Sequence, residues 1–158
     1  MSLGFYYDST WQHTLGTKKC ETCQAKGYVI VKSQPPQKSN VSNVIVGYHQ
    51  TNPESAQQIL QKGFQCGSCG IAGGGIYFAM NPNDTNFKAR SKGVILKAHV
   101  DVGACKILNC FNPGLNGEKL KQEGFDSVFL PTGDGINLNS NEYVVYDPSK
   151  VKNIVKYC

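Results

Sequence analysis

The sequence lacks long apolar runs and long runs of one charge. No stretch approaches the roughly 20 apolar residues that span a bilayer, and the start, MSLGFYYDSTWQH, lacks the charged and apolar regions of a signal peptide. The net charge is +5, but the positive residues are scattered and form no block of five or more. We therefore expect a soluble intracellular protein, cytoplasmic or nuclear, with no membrane partner and a mostly solvated positive surface.

The sequence also lacks the regular strand and helix alternation of a doubly wound parallel sheet. Its glycines at 67–75 cannot be aligned to G-x-G-x-x-G between a strand and a helix, which disfavours a Rossmann fold. The 17 Gly, 8 Tyr and 7 Phe residues favour strands and tight turns. We expect one α+β domain over residues 1–158, with residues 1–43 as an N-terminal extension that packs on a core at 44–158.

The local patterns predict a strand at 44–49 that leads into a helix within TNPESAQQILQKGF. In that helix Thr51 and Glu54 have the spacing of a capping box, Pro53 suits the first turn, and Gly63 is a natural stop. Further strands are predicted in IYFA, GVILKAHVDV, DSVFL, EYVVYD and VKNIVKY, and short helices in NPNDTNFKARS and EKLKQEG.

Three short segments carry residues suited to catalysis, and each lies at or beside the end of a predicted strand. They are YHQT (48–51), GIYFA (75–79) and NEYVVYD (141–147). A single His at a strand end is usually a hydrogen-bonded structural residue, and a single Tyr in an apolar strand is usually part of the core. The segments therefore matter as a set and in their order.

In this order, with these neighbours, the segments resemble the poly(ADP-ribose) polymerase catalytic domain, whose signature is a His, a Tyr and a Glu on separate strands. The resemblance covers about 44–155 and is most specific in GGGIYFA and NEYVVYDPSKV, while GFDSVFLP is similar to the family's penultimate strand. It implies the ADP-ribosyltransferase fold, a split, mostly antiparallel sheet with short flanking helices. The sequence leaves no room for the helical regulatory subdomain of the chain-building members.

The resemblance implies three catalytic residues, which also bind NAD+. His49 would hydrogen-bond the adenine-side ribose, Tyr77 would stack against nicotinamide, and Glu142 would accept a hydrogen bond from the 2′-hydroxyl of the nicotinamide ribose. Nicotinamide leaves C1′ through a transition state of oxocarbenium character, so a nearby carboxylate stabilises charge that develops as the bond breaks. Glu142 is therefore expected to control the rate.

Other NAD+ contacts follow from the same resemblance. The backbone of Gln50 would pair with the nicotinamide carboxamide, with Thr51 beside it, and Thr85 would bond the carboxamide oxygen. The family usually has Gly where this chain has Gln50, and an aromatic residue where it has Lys88. Phe87 either supplies the second stacking ring or belongs to the core.

Two C-x-x-C pairs, Cys20 with Cys23 and Cys66 with Cys69, have the spacing of paired zinc ligands. The gap between the pairs is longer than in a compact zinc ribbon and contains the His49 strand. A zinc ion bound by all four residues would fasten the N-terminal segment to the core and shape the glycine-rich loop. The alternative is free thiols, as expected without a secretion signal.

Three classes of function remain open. The first is a monomeric NAD+-dependent transferase that adds single ADP-ribose units to a protein, or alternatively to a nucleic-acid end. The second is a non-catalytic module that binds NAD+ or ADP-ribose. The third is a zinc-containing nucleic-acid binder, which the positive charge and paired cysteines favour.

Overall fold

The structure is a computed structural model that describes residues 17–19, 26–28, 43–133 and 138–158. The chain forms two compact units, Met1–Lys38 and Ser39–Cys158. In the first unit, β1 (Thr17–Lys19) and β2 (Lys26–Tyr28) form a short antiparallel ladder. The expected packing of residues 1–43 on the core stays a prediction, because most of these residues lie outside the described ranges.

The second unit contains the elements that build the candidate site. Every strand and helix that the sequence predicts has a counterpart there, whereas β1, β2 and β6 were not predicted. In chain order the elements are β3 (Val44–Thr51), α1 (Pro53–Lys62), β4 (Ile76–Ala79), α2 (Thr85–Lys88), β5 (Val94–Asp101), β6 (Cys105–Ile107), α3 (Gly117–Gln122), β7 (Ser127–Leu130), β8 (Glu142–Val145) and β9 (Val151–Lys156).

Seven of these strands form one sheet in the order β6-β7-β8-β4-β3-β5-β9. The neighbouring strands are antiparallel except for β6 and β7, which are parallel. This topology confirms the predicted α+β class with a mostly antiparallel sheet and short helices.

The ladder between β3 and β4 divides the sheet. Strand β3 pairs with β5 along all eight of its residues, but with β4 only at Tyr48↔Ala79. On its other side β4 pairs with β8 along its whole length, from Ile76↔Val145 to Ala79↔Glu142. The two parts of the sheet are therefore joined by a single residue pair, and beyond it their edges are free to line a cleft.

Two apolar clusters pack on the sheet, and the first spans both of its parts, since it includes Ile76 and Phe78 of β4 and Val145 of β8. Leu96, Ala98 and Val100 of β5 are fully buried against α1 and β4, and the cluster also contains Phe64 and Phe78. The second cluster lies on β7 and β8 and takes in the glycine-rich loop and α3; its buried members are Ala72, Leu108, Leu115, Leu120, Val128, Leu130 and Val144. Burial of these side chains is the main driving force that holds each part together.

Helix α1 begins one residue later than the predicted capping box. Thr51 is still the last residue of β3, and the cap is Asn52, whose side chain accepts a hydrogen bond of 2.8 Å from the Ser55 amide. Gly63 ends the helix with a φ of 83°, which glycine adopts without strain. Among the helices of the described residues, none has the length and apolar character to cross a membrane.

Candidate active site

His49, Tyr77 and Glu142 lie on three neighbouring strands, β3, β4 and β8. All three line one cleft of about 500 Å³, which opens where β3 and β4 separate. A smaller recess of about 60 Å³ is lined by the same three residues together with Thr85 and Lys88. The structure therefore brings together the residues that the sequence predicted as catalytic.

His49 lies at the gap between the strands. Its Nδ1 is 2.9 Å from the carbonyl oxygen of Tyr77, so Nδ1 carries the hydrogen and donates it. Burial lowers the pKa of His49, although the bond to Tyr77 opposes the shift. The neutral ring therefore presents Nε2 as an acceptor, which suits a hydroxyl group of a ligand.

Tyr77 is fixed by its hydroxyl group. That group donates to the Gly73 carbonyl at 2.7 Å and accepts from the Ala72 amide at 3.0 Å, so both partners belong to the glycine-rich loop. The hydroxyl of Tyr146 donates to the carbonyl of Ala72 as well. Burial raises the pKa of both phenols, so they stay neutral and keep these bonds. The sequence did not predict that the hydroxyl groups of Tyr77 and Tyr146 bond the glycine-rich loop, because a strand pattern does not show which partner a side chain reaches.

Glu142 is the buried carboxylate of the site, with 7% of its surface exposed. Burial raises its pKa, while the charge and hydrogen bond of Lys88 act in the opposite direction. The Lys88 Nζ atom lies 3.3 Å from Glu142 Oε2. The resemblance placed Lys88 where an aromatic residue was expected, so its ion pair with Glu142 is a contact that the sequence did not predict.

The predicted carboxamide contacts lie on the β3 side. Gln50 has ordinary strand geometry, and Asn153 is the only described residue other than glycine with a positive φ, so the absence of Gly at position 50 causes no backbone strain. The Thr85 hydroxyl lies 2.6 Å from the Pro82 carbonyl and 3.2 Å from Gln50 Oε1, and it donates to one of them at a time. Thr51 also lines the cleft.

Phe87 lies at the edge of the cleft with 71% of its surface exposed. The alternative of a core residue is therefore wrong, because the short helix α2 presents the ring to solvent. Stacking of Phe87 on a ligand stays a prediction.

A second cleft of about 320 Å³ adjoins the first and is also lined by His49 and Tyr77. Its other walls include Ser55 and Lys62 of α1 and the glycines of the loop. Both volumes fall within or near the range of small-molecule sites, which is about 300 to 1,000 Å³. The two clefts together suit an elongated ligand that places one part in each cleft and contacts His49 and Tyr77 between them.

The cysteines give no support for a metal site within the described residues. No group of three or more His, Cys, Asp or Glu side chains there could hold an ion, and Cys20 and Cys23 lie outside those residues. The Cys66 thiol donates to the Tyr146 carbonyl at 3.2 Å, and burial and Asp147 raise its pKa. The four-cysteine zinc site stays a prediction.

The arrangement can bind a ligand in a cleft and place a buried carboxylate beside it. A neutral imidazole acceptor, a fixed phenol ring and a carboxylate with a cationic partner are within reach of one molecule. No family model matches this chain, and no curated protein matches it significantly.

Proposed function

We propose that this chain is an NAD+-dependent ADP-ribosyltransferase with the fold and the His, Tyr and Glu set of the poly(ADP-ribose) polymerase type. The observation that carries the proposal is the convergence of His49, Tyr77 and Glu142 on one cleft, at the single-pair junction of β3 and β4. The three residues are far apart in sequence, and each lies in a motif of its own.

The two adjoining clefts support a dinucleotide donor. Nicotinamide and its ribose would occupy the cleft that holds Glu142, and the adenosine part would lie along α1 in the other. His49 borders both clefts, and its Nε2 is free to accept a bond from a ribose hydroxyl. The ring of Tyr77, held in place through its hydroxyl, would stack against nicotinamide.

The proposed reaction exchanges one bond at C1′ of the nicotinamide ribose. The bond from C1′ to nitrogen breaks, and its electron pair leaves with nicotinamide. An acceptor oxygen then forms a bond to C1′, and Glu142 receives the proton of that acceptor and passes it to solvent. As the first bond breaks, positive charge develops on the sugar, and a buried carboxylate beside it stabilises that charge more than it stabilises bound NAD+.

We include single-unit transfer to a protein acceptor in the proposal. Mass spectrometry of the protein after incubation with NAD+ tests this part. One ADP-ribose increment per modified side chain supports it, while a ladder of increments indicates chain elongation. The same spectra identify the acceptor residue type.

The main test is labelling with radioactive NAD+ in the wild type and in Glu142→Gln. The variant keeps the size of the side chain but loses its charge, so we expect a rate at least about 100-fold lower. Glu118→Gln is the matched control, because Glu118 is an exposed carboxylate on α3, and it should label at the wild-type rate.

Equal labelling of the wild type and Glu142→Gln would overturn the proposal. Calorimetric binding of NAD+ without labelling in any variant would instead favour the non-catalytic binding module. Calorimetry should show NAD+ affinity in Glu142→Gln within about tenfold of the wild type, because Glu142 acts mainly in the transition state.

A further inference from the structure

Lys88 spans the cleft from α2 to the strand that carries Glu142. Its Nζ atom donates a hydrogen bond of 2.7 Å to the Ser140 carbonyl and lies 3.3 Å from Glu142 Oε2. Both side chains are largely buried, with 12% of Lys88 and 9% of Glu142 exposed. The ammonium group therefore has two fixed partners, both on the segment that leads into β8.

The surroundings of Glu142 make Lys88 its main charged neighbour. Tyr77 faces it from β4 and is neutral, and His49 on β3 lines the same recess and has its pKa lowered by burial. Lys88 is the one lysine or arginine among the described residues that line the recess, and Arg90 lies further out in the larger cleft. The charge of Glu142 therefore depends chiefly on a single cation.

A buried carboxylate without a partner tends to take up a proton, because the charged form is poorly solvated. Burial acts on Glu142 in this direction, and Lys88 opposes it. A protonated Glu142 would neither stabilise an oxocarbenium ion nor accept a proton. Lys88 therefore favours the charged form that the proposed chemistry needs.

We propose that Lys88 is a positioning residue for the transfer reaction, which anchors on the Ser140 carbonyl, holds Glu142 Oε2 and keeps the carboxylate charged, so that Oε1 is left for the substrate. This inference rests on the proposed function. It gives Lys88 a purpose at the position where the resemblance led us to expect a stacking ring.

The test compares the pH profile of kcat for labelling in the wild type, Lys88→Met and Lys88→Arg. In Lys88→Met the acidic limb of the profile should move to higher pH, and kcat at neutral pH should fall by at least about tenfold. The KM for NAD+ should change much less than kcat. Lys88→Arg keeps the charge and should leave the limb close to its wild-type position.

Two variants keep the result interpretable. Lys92→Met removes an exposed lysine four residues along the chain and should leave the profile unchanged. If Lys88→Met does not fold, Lys88→Gln carries the same expectation, because it loses the charge but retains a donor for the Ser140 carbonyl.

A second measurement needs no activity. The carboxyl carbon of Glu142, followed by NMR across a pH titration, should titrate at higher pH in Lys88→Met than in the wild type. Equal midpoints, or equal pH profiles in an active enzyme, would overturn the role of Lys88 and leave the proposed function intact. A wild type that binds NAD+ but transfers nothing would instead overturn the proposed function.

Discussion

The two sides of the cleft are held by different forces. On the side of Tyr77, the contacts are hydrogen bonds between neutral groups, which join a phenol to the glycine-rich loop. On the side of Glu142, the main contact is an ion pair with Lys88. The hydrogen bonds of Tyr77 do not change near neutral pH, because their groups stay neutral. The ion pair between Lys88 and Glu142 is lost when either group changes its protonation state.

The contacts of Tyr77 therefore order the cleft, whereas those of Glu142 set the charge of the carboxylate in the proposed reaction. A change on the Tyr77 side should alter stability and NAD+ binding, because those contacts order the loop and the ring. A change on the Glu142 side should alter the rate and its pH dependence.

The largest effect on stability is expected for Gly73→Ala. Gly73 has a φ of 72°, and a Cβ atom there would overlap the carbonyl oxygen of Leu115. The strained conformation and the overlap should together lower the free energy of unfolding by about 3 kcal/mol. Urea denaturation gives this value.

Gly124→Ala is the matched control for Gly73→Ala. Gly124 also has a positive φ, but an added Cβ would have nothing within 4 Å. It should cost only the conformational part, about 1 kcal/mol. Equal losses in the two variants would show that the contact between the loop and Leu115 contributes nothing.

A smaller loss is expected for Tyr77→Phe. The change keeps the ring but leaves the Ala72 amide and the Gly73 carbonyl without their partner, at a cost of about 2 kcal/mol. Tyr143→Phe on β8 is the control, since the Tyr143 hydroxyl makes no hydrogen bond with the residues that the structure describes. If the acidic limb of the pH profile of kcat moved in Tyr77→Phe as far as in Lys88→Met, the two sides of the cleft would not have separate roles.

His49 makes stability depend on pH. Burial holds its pKa in the folded state below the ordinary value of 6.5, so the unfolded chain binds more protons as the pH falls below 6.5. The free energy of unfolding should therefore decrease from pH 6.5 downward through the folded pKa.

Urea denaturation at several pH values tests this expectation. The decrease should be weaker in His49→Asn, which has no titrating ring. The raised pKa of Glu142 acts in the opposite sense, since its contribution is present at low pH and is lost as the pH rises from 4.5 through its folded pKa. An unchanged slope in His49→Asn would contradict the assignment.

The smallest effect is expected for the ion pair between Lys150 and Asp101, outside the cleft. Its atoms lie 3.1 Å apart, but about a third of each side chain is exposed, at 34% and 31%. Lys150→Met should therefore cost less than about 1 kcal/mol, since water screens the pair. Lys88→Met should cost several times more in the same denaturation series. Similar losses would mean that burial does not distinguish the two pairs.

The sequence predicted the local structure well where the pattern is repetitive. The alternating residues of β5 and the apolar face, Pro53 and Gly63 of α1 were sufficient for those elements. The capping residue was misplaced because Thr51 is held in β3 by its pairing with Val94. Strand β6 is only three residues long and pairs in parallel with β7, so it left no signal in the alternation.

The site was predictable as far as its motifs extend. His49, Tyr77 and Glu142 could be predicted as a set because each lies in a recognisable segment, and the sheet places their strands side by side. Lys88 was missed because its partners, Ser140 and Glu142, lie more than fifty residues further along the chain. Such a contact is set by packing between α2 and β8, and no spacing rule describes it.

The single pair that joins β3 to β4 has a mechanical consequence. Because only Tyr48 and Ala79 connect the strands there, widening the gap beyond them breaks no further bond of that ladder. The separation of the two edges is instead set by side chains: His49 bonds the Tyr77 carbonyl, and Phe78 of β4 packs in the cluster of β5. Widening the groove would therefore disturb the first apolar cluster, so the packing of Phe78 limits how far the two edges can move apart.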